Sequence, residues 1–411
     1  MEKFLIVWPK SDDVVHINYH YTDFGEIVDY LQGVFSGKII ALDCDILQEN
    51  VLDIINQNNV TKVAMMVNYE NVKNAFNLAD EISKINIPVM AYGNLTVMMP
   101  QIFLNSKFNS VYYSGDYESA IKSFFEGYPD IENMSGVVKL DNGVALISKE
   151  GGFISADEWG YSKPVQVPVL DYDKVKNKNR YVLNISRGCP FGCPHCLIQM
   201  VEGRKERRRS VQNVDMALAD ITQLYKHIKI WAANFTLNKK YVMDFCEVMG
   251  KYPDVTWECA TRIDLVENEA MLEAMARSGC KQISIGIESL NSGKFIDSKQ
   301  FSIDKVEETI KRIQKFGINV KGCIMLGIPG QTKQDIIDTL KFLQENHVST
   351  RPTVYTPYHV IESSSIEELS SMNRKTYKNY NIEGVAPEQL IELTKKPFEY
   401  GYILDDKEKI K

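Results

Sequence analysis

Residues 186–196 read SRGCPFGCPHC, directly after the apolar run YVLNIS at 181–186. The run predicts a strand, so Cys189, Cys193 and Cys196 fall on the loop that leaves its carboxyl end. Gly188 and Gly192 open that loop and Pro190 and Pro194 stiffen it, so three thiols spaced CxxxCxxC are brought to one place. Thiolates suit an iron–sulfur cluster or zinc, and spacing alone does not choose between them. A structural zinc site closes its tetrahedron with a fourth Cys or His at short spacing, and His195, caught between two of the cysteines, is too constrained to complete it easily. A cluster with three protein ligands leaves one iron open for a ligand.

Outward from this loop the pattern alternates strand and helix. Strands are expected at YVLNIS, IKIWAA, TWECAT, KQISIGI, VKGCIMLG and TVYTPY, six units that make a parallel barrel or partial barrel over 181–360. Residues 1–126 alternate in the same way through FLIVW, KIIALD, KVAMMV, PVMAY and SVYYSG, the pattern of a doubly wound parallel sheet with a ligand crevice at its carboxyl edge. The helix expected over 71–84 carries one apolar stripe, Val72, Ala75, Phe76, Ala79 and Ile82. Residues 127–180 read as a hairpin turning at Asn142–Gly143 and an extended linker, and 361–411 as a short polar carboxyl-terminal extension.

With 411 residues, 44% hydrophobic and 25% charged, the chain has ordinary globular usage and room for two or three domains. A formal net charge of −7 argues against a nucleic-acid surface and leaves small molecules as the first substrate class. No segment approaches the roughly 18 apolar residues of a membrane span, and MEKFLIVWPKSDD lacks the form of a secretory signal, so a cytoplasmic protein is expected. The eight cysteines do not resemble a secreted disulfide framework, and a reducing compartment fits them.

The cysteine loop after the first of six strands resembles the radical S-adenosylmethionine superfamily, and the resemblance runs over roughly residues 4 to 360. It implies an α/β chain: an amino-terminal Rossmann-like sheet followed by a partial (β/α)6 barrel. It also implies a 4Fe-4S cluster on Cys189, Cys193 and Cys196 whose open iron binds S-adenosylmethionine, with reductive cleavage to a 5′-deoxyadenosyl radical. By the same resemblance His195 packs near the adenine, Arg262 pairs with the carboxylate of S-adenosylmethionine, Glu288 reaches the ribose hydroxyls, and the backbone from Met325 to Gly327 meets the adenine. Arg262 has Asp264 close by in sequence as a competing partner. IWAANF stands where related sequences end a strand in acidic residues, which leaves Asn234 as the polar side chain near the amino group. Tyr355, Tyr358 and His359, at the end of the sixth strand, are the candidate catalytic side chains. The run RKERRRS at 204–210 reads as a solvated helix start, with an anionic partner as the alternative.

The order of strands before the linker resembles the branch of that superfamily with a cobalamin-binding amino-terminal domain. Gly93 is then a cofactor-contacting turn, while Tyr92 and Tyr117 stand where glycines are common. The implied activity is hydrogen abstraction from a small-molecule or natural-product substrate for cobalamin-dependent C-methylation. The alternative is cobalamin-free dehydration, deoxygenation, epimerisation or rearrangement with an empty domain. A reductase such as flavodoxin or ferredoxin is the expected electron donor.

Overall fold

Five apolar runs in the first 112 residues form parallel strands in a computed structural model of the chain: β1 (Lys3–Trp8), β2 (Ile39–Asp43), β3 (Val60–Met66), β4 (Val89–Tyr92) and β5 (Ser110–Tyr112). The structure describes residues 2–12, 21–47, 49–141, 144–161, 180–290, 302–355, 361–371 and 382–405. The strand order β2-β1-β3-β4-β5 is that of a doubly wound sheet. Helices on the faces bury β1 almost entirely, which is why its sequence is a continuous apolar run. The helix Val72–Ser83 buries Val72, Ala75, Ala79 and Ile82 as the periodicity predicts. Phe76 lies only half-buried, edge-on or tilted against Phe103 and Phe108 at 5.3 and 5.4 Å.

The hairpin expected as part of a linker extends this sheet instead. Strand β6 (Val137–Asp141) pairs antiparallel with β5 and with β7 (Val144–Ile147). The physical reason is the open edge of β5, whose unpaired amides and carbonyls are satisfied by the next extended segment. Asn142, Gly143 and 162–179 lie outside the described residues. The carboxyl-terminal extension also divides: Ile361–Asn373 belongs with this first unit and Arg374–Lys411 with the second.

The second unit comprises mainly Asn179–Gln199 and Arg204–Val360 together with that last segment. Its strands are β8 (Tyr181–Asn184), β9 (Ser186–Arg187), β10 (Arg207–Arg208), β11 (His227–Trp231), β12 (Thr256–Arg262), β13 (Cys280–Glu288), β14 (Asn319–Leu326), β15 (Ser349–Thr350) and β16 (Thr353–Val354). The order β8-β11-β12-β13-β14-β15 is parallel and follows the sequence, the topology of a partial (β/α)6 barrel. The sixth strand is split, β15 and β16 each pairing with β14. Burial alternates along β12 and β14. Trp257 faces outward, packed at 5.4 Å on Phe235 and 5.1 Å on Phe245 of the helix Lys239–Met249. A Cβ at Gly322 would meet Leu343 of the helix Lys333–Glu345 at 3.1 Å, which places the even-numbered residues of β14 on the helix side.

At the end of β2, Asp43 is fully buried and accepts the Asp45 amide at 2.9 Å. Asp45 in turn accepts from Trp8 Nε1 at 2.9 Å and from the Ser11 amide at 2.7 Å. Burial, reinforced by the charge of Asp45, pushes the Asp43 carboxyl up to about 7 from 3.8. Below the unfolded value both states hold the proton. Between the two values folding retains a proton that the unfolded chain releases, so stability falls as pH rises and then levels off above about 7. The cost is on the order of 4 kcal/mol at the plateau, by about 1.4 kcal/mol per unit. Asp43→Asn keeps the acceptor for the Asp45 amide and removes the titration. It should raise the thermal midpoint at pH 8 and flatten the decline between pH 4 and 7; an unchanged pH profile would contradict the assignment.

Candidate active site

The cysteine loop leaves β9 and is gripped from two sides. Cys189 is buried, and its Sγ accepts from the Phe191 amide and, at 3.3 Å, from Asn234 Nδ2. Burial pushes this thiol up, while those two donors and the Arg262 charge oppose the rise. Cys193 and Cys196 are half-buried, and the Cys196 amide donates to the Cys193 carbonyl at 3.2 Å. His195 lies half-buried between them on the same loop.

Arg262 ends β12 beside this loop. Its guanidinium lies 4.1 Å from the Phe191 ring centroid and Nη1 points at Cys193 Sγ at 3.8 Å. Its Nε and Nη2 form a two-pronged pair with Asp264 at 3.0 and 2.9 Å. A carboxylate ligand at Arg262 therefore has to share or replace Asp264. The structure thus brings Arg262 to the cysteines and also forms the ion pair that competes with its expected role.

Asn234 differs most from its expected part. It is buried, its Oδ1 accepts the Arg262 amide at 3.1 Å, and its Nδ2 serves Cys189. Each end of the amide thus has a partner within the chain, and Asn234 ties the cysteine loop to the end of β12. Its own carbonyl accepts from Arg208 at 3.3 Å, and Arg208 also donates to the Phe235 carbonyl at 3.1 Å, pairs with Glu206 and covers the Tyr241 ring at 4.5 Å. Arg209 is buried and donates to the Asn184 carbonyl at 2.8 Å and Asn213 Oδ1 at 2.9 Å. The basic run is therefore not a solvated helix start, because Arg207 and Arg208 form β10 against β9 and brace the strand that launches the cysteines. Only Ser210, which caps the helix Val211–Ile221, begins a helix. Sequence reasoning misses this clamp because an arginine with a buried stem reads like any other charge.

Glu288 closes β13 at φ 60°, where a Cβ-bearing residue is strained, and is itself buried. Gln331 carries no signal in the sequence, yet it is buried, accepts the Gly327 amide at 2.7 Å and donates to the Met325 carbonyl at 3.2 Å. The backbone expected to meet adenine is thereby fixed, and the Gly327 amide is already taken. Tyr355 donates its amide to the Leu326 carbonyl at 2.8 Å and is half-buried. Tyr358 and His359 lie outside the described residues.

Among the described residues no three His, Cys, Asp or Glu side chains stand close enough to hold one metal ion. Three cysteines on one short loop, with amide donors and a guanidinium facing the sulfurs, fit a cluster ligand set.

In the first unit Gly93 has φ 126°, and a Cβ there would sit 2.5 Å from the Val67 carbonyl oxygen and 2.9 Å from Asn68 Oδ1. Glycine is thus demanded by the chain's own backbone at this turn. Tyr117 packs 5.6 Å from Tyr92 and 4.6 Å from Tyr112, and donates to Asn94 Oδ1 at 3.2 Å. The two tyrosines that stand in place of glycines therefore fill space at the carboxyl ends of β4 and β5.

Residues 183–343 match the family model of the radical SAM superfamily. An uncharacterized methyltransferase of Pyrococcus horikoshii is 31% identical over 211 residues, 47% of this chain and 44% of that protein. The bacteriochlorophyllide d C-12(1)-methyltransferase of Chlorobaculum tepidum is 23% identical over 362 residues, 84% of this chain and 74% of that protein. The chain thus spans less than half of the Pyrococcus protein and about three quarters of the Chlorobaculum one. Among solved structures, the radical S-adenosylmethionine methyltransferase TsrM of Kitasatospora setae, with tryptophan and a SAM analogue, gives a TM-score of 0.71 at 12% identity over 86% of this chain and 72% of that one. The cobalamin-dependent radical enzyme OxsB, with aqua-cobalamin and S-adenosylmethionine, gives 0.71 at 16% identity over 97% and 61%. At these identities the two structures establish a shared fold.

Asn234→Asp keeps the acceptor for the Arg262 amide but removes the donor to Cys189 and adds a negative charge. Loss of a hydrogen bond to a cluster sulfur disfavours the reduced state. The variant should hold its cluster at a lower melting temperature than the wild type, with a more negative cluster midpoint in an EPR-monitored redox titration. Equal midpoints would remove Asn234 from this role.

Proposed function

We propose that this chain, which carries a radical SAM domain over residues 183–343, is an enzyme that abstracts hydrogen from a small-molecule or natural-product substrate in order to methylate it at carbon. The observation that carries the radical half is the loop of Cys189, Cys193 and Cys196 with Asn234 and Arg262 against its sulfurs. Cys189, Cys193 and Cys196 would hold a 4Fe-4S cluster, which would supply the one electron that splits S-adenosylmethionine at its C5′–S bond into methionine and a 5′-deoxyadenosyl radical. The chain's residues hold the reactants. Asn234 fixes Cys189, Arg262 presents a cation beside the loop, Glu288 offers a carboxylate for the ribose, and Gln331 holds the Met325–Gly327 edge rigid for the adenine. Tyr355, with Tyr358 and His359, stands as the group that handles the substrate. A flavodoxin or ferredoxin class reductase delivers the electron.

The methyl-transfer half is supported by the names of the relatives, two of them methyltransferases. OxsB, a structural neighbour of the same two-part fold, is cobalamin-dependent, and we extend cobalamin to this chain as the methyl carrier. A second reading, radical chemistry without cobalamin, is favoured by a specific observation: Tyr92, Tyr112 and Tyr117 pack together at the carboxyl edge of the first sheet, where Gly93 is closed by Val67.

One experiment separates them. Protein reconstituted anaerobically with iron and sulfide, then incubated with hydroxocobalamin, should carry one 4Fe-4S cluster and retain near-stoichiometric corrin through gel filtration. The Cys189→Ala, Cys193→Ala, Cys196→Ala triple variant should lose the cluster and keep the corrin. Retention of no corrin, with turnover unchanged when cobalamin is left out, selects the second reading. Zinc in place of iron with full activity would end both.

A further inference from the structure

The register of the second unit sets side chains in rows across its concave face. Lys229, Glu258, Gln282 and Asn319 are consecutive partners in the row nearest the amino ends. Ala260, Ser284 and Lys321 form the next row, and Arg262, Gly286 and Cys323 the third. Trp231 lies two residues beyond Lys229, on the same face, with the Lys229 ammonium 5.4 Å from its ring centroid. It is therefore level with Ala260. These residues face away from the helices, because Trp257, Cys259, Ile283, Ile285, Val320 and Gly322 take the helix side.

The first row is closed by its own polar contacts. Glu258 takes Arg180 at 3.3 Å, Gln282 Nε2 at 3.2 Å and His227 at 3.7 Å. The second row is different. A large aromatic, Trp231, 44% exposed, stands at one side and a lysine at the other, with only alanine and serine between them. Three strand intervals of about 4.8 Å put the two walls roughly 14 Å apart at the backbone. Lys321 has no ion pair among the described residues, and neither upper row carries an acidic side chain. One pleat repeat above, about 6.6 Å along the strand, is Arg262, whose Nη1 lies 3.8 Å from Cys193 Sγ.

We propose that this row is the substrate slot, and that it takes a flat aromatic or conjugated ring carrying a carboxylate. The ring stacks on Trp231 above Ala260 and Ser284, and the carboxylate pairs with Lys321. The face of an indole is a platform for a π-system, and small residues beneath it leave room for a ring where larger side chains would fill the floor. A lysine without a facing acid at the opposite wall supplies the complementary charge. The slot rests on the reading of the chain as a radical enzyme acting on a small molecule, and it names that molecule's class. A ring so held lies one row from Arg262, whose Nη1 faces the cysteine loop.

Isothermal calorimetry on the full chain tests this without turnover. The probes are indole-3-acetate against indole-3-acetamide for a bicyclic ring, and protoporphyrin IX against its dimethyl ester for a macrocycle. At least one acid should bind one-to-one, with its uncharged counterpart at least tenfold weaker, and the ring that binds identifies the ring size. Lys321→Met should bring the acid to the affinity of the uncharged form. Trp231→Ala should weaken both forms at least tenfold. Circular dichroism melting like that of the wild type verifies that the variants fold. No binding of either acid to the wild type, equal binding of charged and uncharged forms, or an unaltered Lys321→Met variant would overturn the slot. A protein that fails to assemble a cluster but shows this pattern would refute the radical reading and leave the slot standing.

Discussion

A single primary amide holds the candidate site together. Asn234 reaches Cys189 Sγ with its nitrogen and the Arg262 amide with its oxygen, and it can do both only if the ends of β11 and β12 and the start of the cysteine loop lie at one level. The parallel register supplies that level: Lys229 beside Glu258 fixes β11 against β12, and Trp231 beside Asn184 fixes β11 against β8. A slip of one residue would turn Arg262 to the helix side and break both bonds at once. Breaking one partner of a buried amide leaves the other unsatisfied, which costs about 1–3 kcal/mol. The register and the loop are therefore coupled.

The arginines of the 204–210 run complete the frame. Arg208 holds the carbonyls of Asn234 and Phe235, and Arg209 holds that of Asn184. Three backbone carbonyls near the strand ends thus accept from two guanidiniums. What such bracing does for function is to limit the movement of three thiols that have to meet one rigid inorganic core. The same register lays out the concave face, so that the rows carrying Trp231, Ala260, Ser284 and Lys321 come one repeat below Arg262 as a consequence of strand pairing.

The strand runs are legible in the sequence because buried parallel strands are nearly continuous apolar segments, and FLIVW and KVAMMV stand out as such, while KQISIGI shows the alternation of a strand with one face to the helices. The cysteines are legible because their spacing serves one kind of ligand. Side-chain partnerships across the sequence are not. Nothing in IWAANF distinguishes an asparagine that meets a ligand from one that ties Cys189 to β12, since both uses need a buried amide at a strand end. Gln331 gives no warning because a glutamine after a Pro-Gly turn is ordinary surface composition until the fold buries it. A glycine at 93 reads as room for a ligand, and the structure adds a second demand for glycine, the Val67 carbonyl that a Cβ would strike. The hairpin at 137–147 is visible in its turn residues, but its attachment to β5 depends on a free sheet edge that no local pattern displays.

The central claim is that Cys189, Cys193 and Cys196 support reductive cleavage of S-adenosylmethionine. The most direct measurement is chromatographic quantification of 5′-deoxyadenosine and methionine from anaerobically reconstituted, dithionite-reduced protein, alongside the triple cysteine variant prepared in the same way. The account predicts both products in equal amounts from the wild type and neither from the variant. Intact S-adenosylmethionine in the presence of a fully assembled, reduced cluster, or equal cleavage by the variant, would contradict it.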